Sequence, residues 1–228
     1  MTTYVLVHGA YQGGWIWQPL SAQLTAAGHR VYAPTLDGCA ERRTSLRPGI
    51  TNDTHAAEIA ALLFYEDLRD VTLVGTSCGG MVIARAAELA SERIGRLAFV
   101  DALALDNGER LDAIVARPAV TGNELAAGPT RHDAETRLFR DIDEPLRSWA
   151  LERYTPHPVA AMNEPMHLER FWSMAWVALV VRCTQSANPP EAHQRRTWQR
   201  LGANWAQLET GHYPMLSAPT ELAALLTA

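Results

Sequence analysis

Six short apolar runs, separated by longer segments of helical character, narrow the fold of this chain more than any other feature. They are Tyr4 to His8, Arg30 to Pro34, Val71 to Gly75, Arg96 to Val100, Val177 to Arg182 and Trp205 to Leu208. The middle runs are apolar without alternation, as in strands buried on both faces, and strands that alternate with helices build a parallel sheet covered on each side. Between the first two runs, Ile16, Leu20 and Leu24 recur at helical spacing, and Gly28 supplies the left-handed residue that ends such a helix. Asp53 to Leu68 behaves likewise, with Asp53 or Thr54 as its cap and Ile59, Leu62 and Leu63 as its apolar side. Gly79 to Leu89 and, after Pro219, Glu221 to Leu226 add two more helices. The expectation is an α/β fold: a mostly parallel six-stranded sheet flanked by helices.

From about Asp106 to Trp172 the pattern changes to scattered prolines (Pro118, Pro129, Pro145, Pro156, Pro158, Pro165), aromatics and short helical candidates, with no clear buried strand. Such a segment has too little core to stand as a domain of its own. Residues 106–172 therefore read as a helical cap inserted into a core made of 1–105 and 173–228. It would lie over the carboxyl ends of the strands, where open α/β sheets place their sites.

At 228 residues and 47% hydrophobic, the chain is large enough for one compact domain. Its net charge of -5 comes from interspersed charges, so no basic stripe is available to neutralise a phosphate backbone, and nucleic acid is not an expected partner. Cys39, Cys78 and Cys183 form neither a C-x-x-C pair nor a zinc-ligand spacing, which fits a reducing compartment. The start lacks the basic and apolar regions of a signal peptide, and no run approaches the roughly 20 apolar residues of a membrane span. The reading is a soluble, cytoplasmic protein with no membrane partner. Dimers are common among soluble enzymes, so a homodimer is a reasonable expectation.

The strongest chemical signal is Gly75-Thr76-Ser77-Cys78-Gly79, a G-x-S-x-G sequence between an apolar strand and a helical segment. A serine hydroxyl is a weak nucleophile; a sharp strand-to-helix turn exposes it to a base, and flanking glycines remove side chains that would clash. Ser77 is the candidate nucleophile. The backbone N–H of Cys78, next in the chain, and that of Ala10, in the loop leaving the first strand, are the candidate oxyanion donors. His8 in that loop reads as a packing residue.

Among eight histidines, His212 is placed best for a general base, because it follows the last strand across Gly211. His29 starts a strand, His55 falls in an expected surface helix, His132, His157 and His167 fall in the cap, and His193 sits in a charged helical stretch. After the Val177 strand the sequence is Cys183-Thr184-Gln185-Ser186-Ala187-Asn188, with no carboxylate. Asp101, which ends the preceding strand, is the candidate acid, and Asp106 and Glu191 are the alternatives. The order Ser77, Asp101, His212 is the one expected of a strand–turn–helix serine enzyme. No dinucleotide or phosphate loop and no metal-ligand motif is present, so no cofactor and no metal is expected.

With these residues in hand, the chain resembles the methylesterase and hydroxynitrile lyase branch of the α/β-hydrolases. Val5 to Trp17, Val71 to Met81 and Gly211 to Pro219 are similar to the three blocks that carry this branch's catalytic residues. The resemblance implies the α/β-hydrolase fold and hydrolysis of a small carboxylic ester, methyl or aromatic, at Ser77. Bacterial relatives carry an aspartate at the Asp101 strand end. Hydroxynitrile lyases add a threonine in the first-strand loop and a lysine after the histidine; here Gly9 and Tyr213-Pro214-Met215 stand instead. A C–C lyase and a non-catalytic small-molecule binder on the same fold are the rival readings. From the cap, Phe139, Trp149, Met162, Met166 and Trp172 are candidate contacts for an apolar substrate group.

Overall fold

The computed structural model describes residues 1–115 and 120–228. Six strands, β1 (Thr3–Val7), β2 (Arg30–Tyr32), β3 (Val71–Ser77), β4 (Ile94–Ala102), β5 (Ala178–Cys183) and β6 (Asn204–Leu208), form one sheet. Its order is β2-β1-β3-β4-β5-β6, and every neighbouring pair is parallel. The expected runs all lie in this sheet, with shifted ends. β2 stops at Tyr32, ahead of Pro34, which has no N–H for the ladder. β3 runs two residues further, through Ser77.

Alternation along each strand divides the core in two. Tyr4, Leu6, Val74, Ala98, Leu179 and Val181 pack with Leu20 and Leu24 of α1 (Gln18–Ala26) and Leu222 and Leu226 of α5 (Pro219–Thr227). Val5, Val7, Leu73, Leu97, Phe99 and Val180 face the other way. They meet α2 (Asn52–Tyr65), α3 (Gly79–Leu89) and α4 (Glu191–Leu201). Successive side chains of a strand point to opposite faces, so runs apolar at every position need helices on both.

Two local readings change. The α2 cap is Thr51 rather than Asp53 or Thr54: its hydroxyl accepts from Thr54 N–H at 3.3 Å, and the Thr54 hydroxyl accepts from Thr51 N–H at 3.2 Å. This reciprocal pair satisfies two donors that a helix start leaves open, which a cap inside the first turn could not do. His55 is buried rather than on a surface face, and its Nε2–H donates to Asp37 O at 2.9 Å.

The insert holds short helices, the longest Leu146–Arg153, and a small antiparallel sheet of Thr121–Gly122, Ala126–Gly128 and His157–Pro158. Strands of two or three residues carry no readable alternation. Pro118, one of the prolines that mark the insert, lies outside the described residues. Among those residues no helix is long and apolar enough to cross a membrane.

The sheet order places β1 between β2 and β3, so the chain leaves β1 toward one edge and later builds toward the other. Ligands bind outside the carboxyl ends of strands at such a reversal. Val7 pairs with Gly75 there, which brings the loop after β1 against the turn after β3.

Candidate active site

Ser77 ends β3 with φ of +52°, and α3 begins two residues later at Gly79. A non-glycine residue in the left-handed region is strained and persists only where its surroundings impose it. Here close backbone approach imposes it. A Cβ on Gly75 would lie 2.6 Å from Gly79 O, and one on Gly79 would lie 2.5 Å from Val7 O. Gly9 faces the candidate nucleophile: a Cβ there would lie 2.7 Å from Ser77 Cβ.

His8 organises the loop that holds the first candidate oxyanion donor. Its Nδ1–H donates to Gly9 O at 2.8 Å, and its Nε2 accepts from Leu36 N–H at 3.0 Å. Burial lowers its pKa to about 4, which keeps the ring neutral, as an imidazole with one donor and one acceptor nitrogen must be. Because a trans peptide is planar, tying the Gly9 carbonyl to His8 turns Ala10 N–H, on the same peptide, away from that ring. Ala10, Ser77, Cys78 and His212 line one cavity of about 250 Å³.

His212 sits between β6 and the short helix Pro214–Ser217, and its Nδ1 lies 2.7 Å from Asp101 Oδ2. Asp101 is fully buried at the end of β4. Its Oδ1 accepts from Gln194 Nε2–H at 2.8 Å and from Cys183 N–H at 3.3 Å. A carboxylate on Nδ1–H leaves Nε2 as the basic nitrogen of His212. Ser77 and His212 share the cavity without a hydrogen bond between their side chains among the described residues; such contacts are often long before substrate binds. The alternative acids face elsewhere. Asp106 pairs with Arg200 and Arg196, and Glu191 with Arg195 and Arg182.

Of the five expected cap contacts, Met162 lines the cavity. Phe139 is buried against Tyr213, with ring centroids 5.0 Å apart, and Trp149 packs on Trp15 at 5.3 Å. Met166 is buried in the same cluster as Val5, Leu73 and Phe99, and Trp172 donates from Nε1 to Leu105 O at 3.1 Å under the Arg200 guanidinium. These four side chains join residues 106–172 to the rest of the chain. Charge lines the cavity as well: Asp133, Arg137, Arg140 and Asp141 border it together with Leu103, Leu111 and Met162.

Two polar residues near His212 carry no mark in the sequence. Gln194 lies in a helix whose charged composition gives no hint that this position faces inward. Ser186 Oγ lies 3.5 Å from His212 Nδ1 and donates to Asn188 O at 2.8 Å. Cys39, Cys78 and Cys183 form no disulfide, and among the described residues no group of three or more His, Cys, Asp and Glu could hold a metal ion.

Comparison with known proteins agrees with this architecture. A carbendazim hydrolyzing esterase of Nocardioides sp. (strain SG-4G) is 30% identical over 241 residues, covering 100% of this chain and 99% of the relative. An alpha-hydroxynitrile lyase of Arabidopsis thaliana is 34% identical over 141 residues, 59% of this chain and 55% of the relative. Among solved structures, an extracellular alpha/beta-hydrolase from a Paenibacillus species superposes with a TM-score of 0.80 at 21% identity, over 100% of this chain and 98% of that one. The model of the alpha/beta hydrolase family matches residues 4–225, and the chain belongs to that family.

Proposed function

We propose that the protein hydrolyses small carboxylic esters through an acyl-enzyme on Ser77. The observation that carries this reading is the 2.7 Å contact between His212 Nδ1 and buried Asp101, with His212 lining the same cavity as a serine at φ of +52°. His212 Nε2 takes the Ser77 proton as Oγ attacks the ester carbonyl, and Ala10 and Cys78 N–H groups stabilise the oxyanion. The alcohol leaves with that proton. Water, deprotonated by the same nitrogen, then releases the carboxylic acid and restores the serine. Asp101 holds the tautomer and stabilises the imidazolium.

A cavity of about 250 Å³ suits a small ester, methyl or aromatic. The name of the Nocardioides relative makes carbendazim a substrate to include in a screen. The lyase reading finds less support: the sequence contains no lysine to hold a leaving cyanide, and Gly9 has no room for a β-carbon beside Ser77.

Intact mass after fluorophosphonate treatment, together with p-nitrophenyl acetate hydrolysis, tests the proposal in wild type and Ser77→Ala. A single adduct and ester turnover, both lost in the variant, are expected. A well-folded wild type with neither would overturn the esterase reading and favour a binding protein.

A further inference from the structure

The Asp101 carboxylate needs more than the histidine to hold it. A fully buried anion is costly unless every oxygen has donors. Asp101 Oδ2 faces His212, so Oδ1 depends on the other two groups: Cys183 N–H at 3.3 Å and the Gln194 amide at 2.8 Å. The amide is the shorter contact, and it comes from a side chain only 1% exposed. Gln194 Nε2 also donates to Pro189 O at 3.0 Å. Two acceptors around one nitrogen define the amide's orientation, since a flipped group would set its oxygen against both. The remaining oxygen, Oε1, has no partner among the described residues, so the position favours donation to Asp101 and Pro189 over full pairing of the amide.

We infer that Gln194 is a positioning residue of the catalytic apparatus, clamping Asp101 from α4 so that its free oxygen meets His212 Nδ1. The same amide ties the acid to the cavity wall, because Pro189 lines the cavity and the segment before it carries Ser186, within 3.5 Å of the imidazole. The other titratable groups around the pair are Cys183 and Arg182 of β5, Tyr213 beside the ring, and Asp141, which packs on Gly211. Apart from the Cys183 backbone N–H, none of them donates a hydrogen bond to Oδ1 among the described residues. The inference rests on Asp101 as the triad acid.

The test is a double-mutant cycle with a pH profile, on purified full-length protein. Gln194→Met removes the donors and keeps the shape. It is expected to lower kcat on p-nitrophenyl acetate by roughly 10- to 100-fold with little change in KM. In an Asp101→Asn background the same change should cost nothing further, since the residue acts through the acid. Gln194→Glu can donate only while its new carboxyl is protonated, so its activity should fall as that group ionises beside Asp101.

An NMR titration of the His212 imidazole needs no turnover. With one donor fewer, the carboxylate holds the imidazolium more tightly, and the midpoint should rise in Gln194→Met. Equal loss in both backgrounds, or an unmoved His212 midpoint, would overturn the inference. If Gln194→Met fails to fold, the pH profile of Gln194→Glu decides it. Failure of the esterase reading is recognised separately, by a wild type without a Ser77 adduct.

Discussion

Two loops at the carboxyl end of the sheet carry a histidine beside a glycine, yet the two rings are held in opposite ways. After β1, His8 is buried, and both ring nitrogens are engaged by backbone, one donating to Gly9 O and one accepting from Leu36 N–H. After β6, His212 has its Nδ1 on a buried carboxylate and lines the cavity. A ring with both nitrogens occupied and its pKa lowered to about 4 organises a loop. A ring with one nitrogen on a carboxylate can accept a proton on the other. The number of nitrogens left unengaged, rather than the neighbouring glycine, separates the structural role from the chemical one.

The largest expected effect tests that division directly. If the proposed mechanism holds, His212→Ala should lower ester turnover by roughly 10⁶-fold with the fold intact by circular dichroism, the scale of losing the base in a serine protease. An equal loss from His8→Ala would erase the distinction. Asp101→Asn leaves the shape but favours the wrong tautomer, and a loss of about 10⁴-fold in kcat is expected. Asp106→Asn and Glu191→Gln should stay within about tenfold of wild type by the same assay, because both carboxylates are engaged by arginines.

Gly9→Ala sharpens the picture of the β1 loop. Its new methyl would lie 2.7 Å from Ser77 Cβ, so either the loop or Ser77 must shift. Steady-state kinetics should show kcat down by about 10²-fold, the scale of losing an oxyanion donor. A variant with unchanged kcat would mean that the loop relaxes without cost.

The smallest effect is on stability. The neutral form of His8 is favoured by folding, so between pH about 6.5 and about 4 the unfolded chain binds more protons and stability falls as pH falls. The full difference is about 3 kcal/mol for His8, present above the unfolded pKa and lost by the folded one. His55, His157 and His193 are lowered by burial too and add in the same direction. Urea unfolding across this range should show the slope, and it should be shallower in His8→Asn.

Much of this architecture was legible before any coordinates. The central parallel strands, buried on both faces, read as unbroken apolar runs, and the two half-buried edge strands were visible beside them. The G-x-S-x-G segment was readable because its glycines meet backbone atoms of Val7 and Gly79, a demand that only glycine satisfies. The segment 106–172 was legible only as an interruption of the strand–helix pattern. Its aromatics suggested a substrate pocket, but Phe139, Trp149 and Trp172 pack into its joint with the core, and Met162 is the one expected contact that lines the cavity.

The sequence by itself determined the alternation of strands and helices and the turn that carries Ser77, because both are written in local periodicity and in glycine's missing side chain. Tertiary structure alone decided which carboxylate meets His212 and which amide holds that carboxylate. Asp101, Gln194 and His212 lie on β4, α4 and the loop after β6, and residues this far apart in sequence become neighbours only when the parallel sheet sets its strand ends side by side.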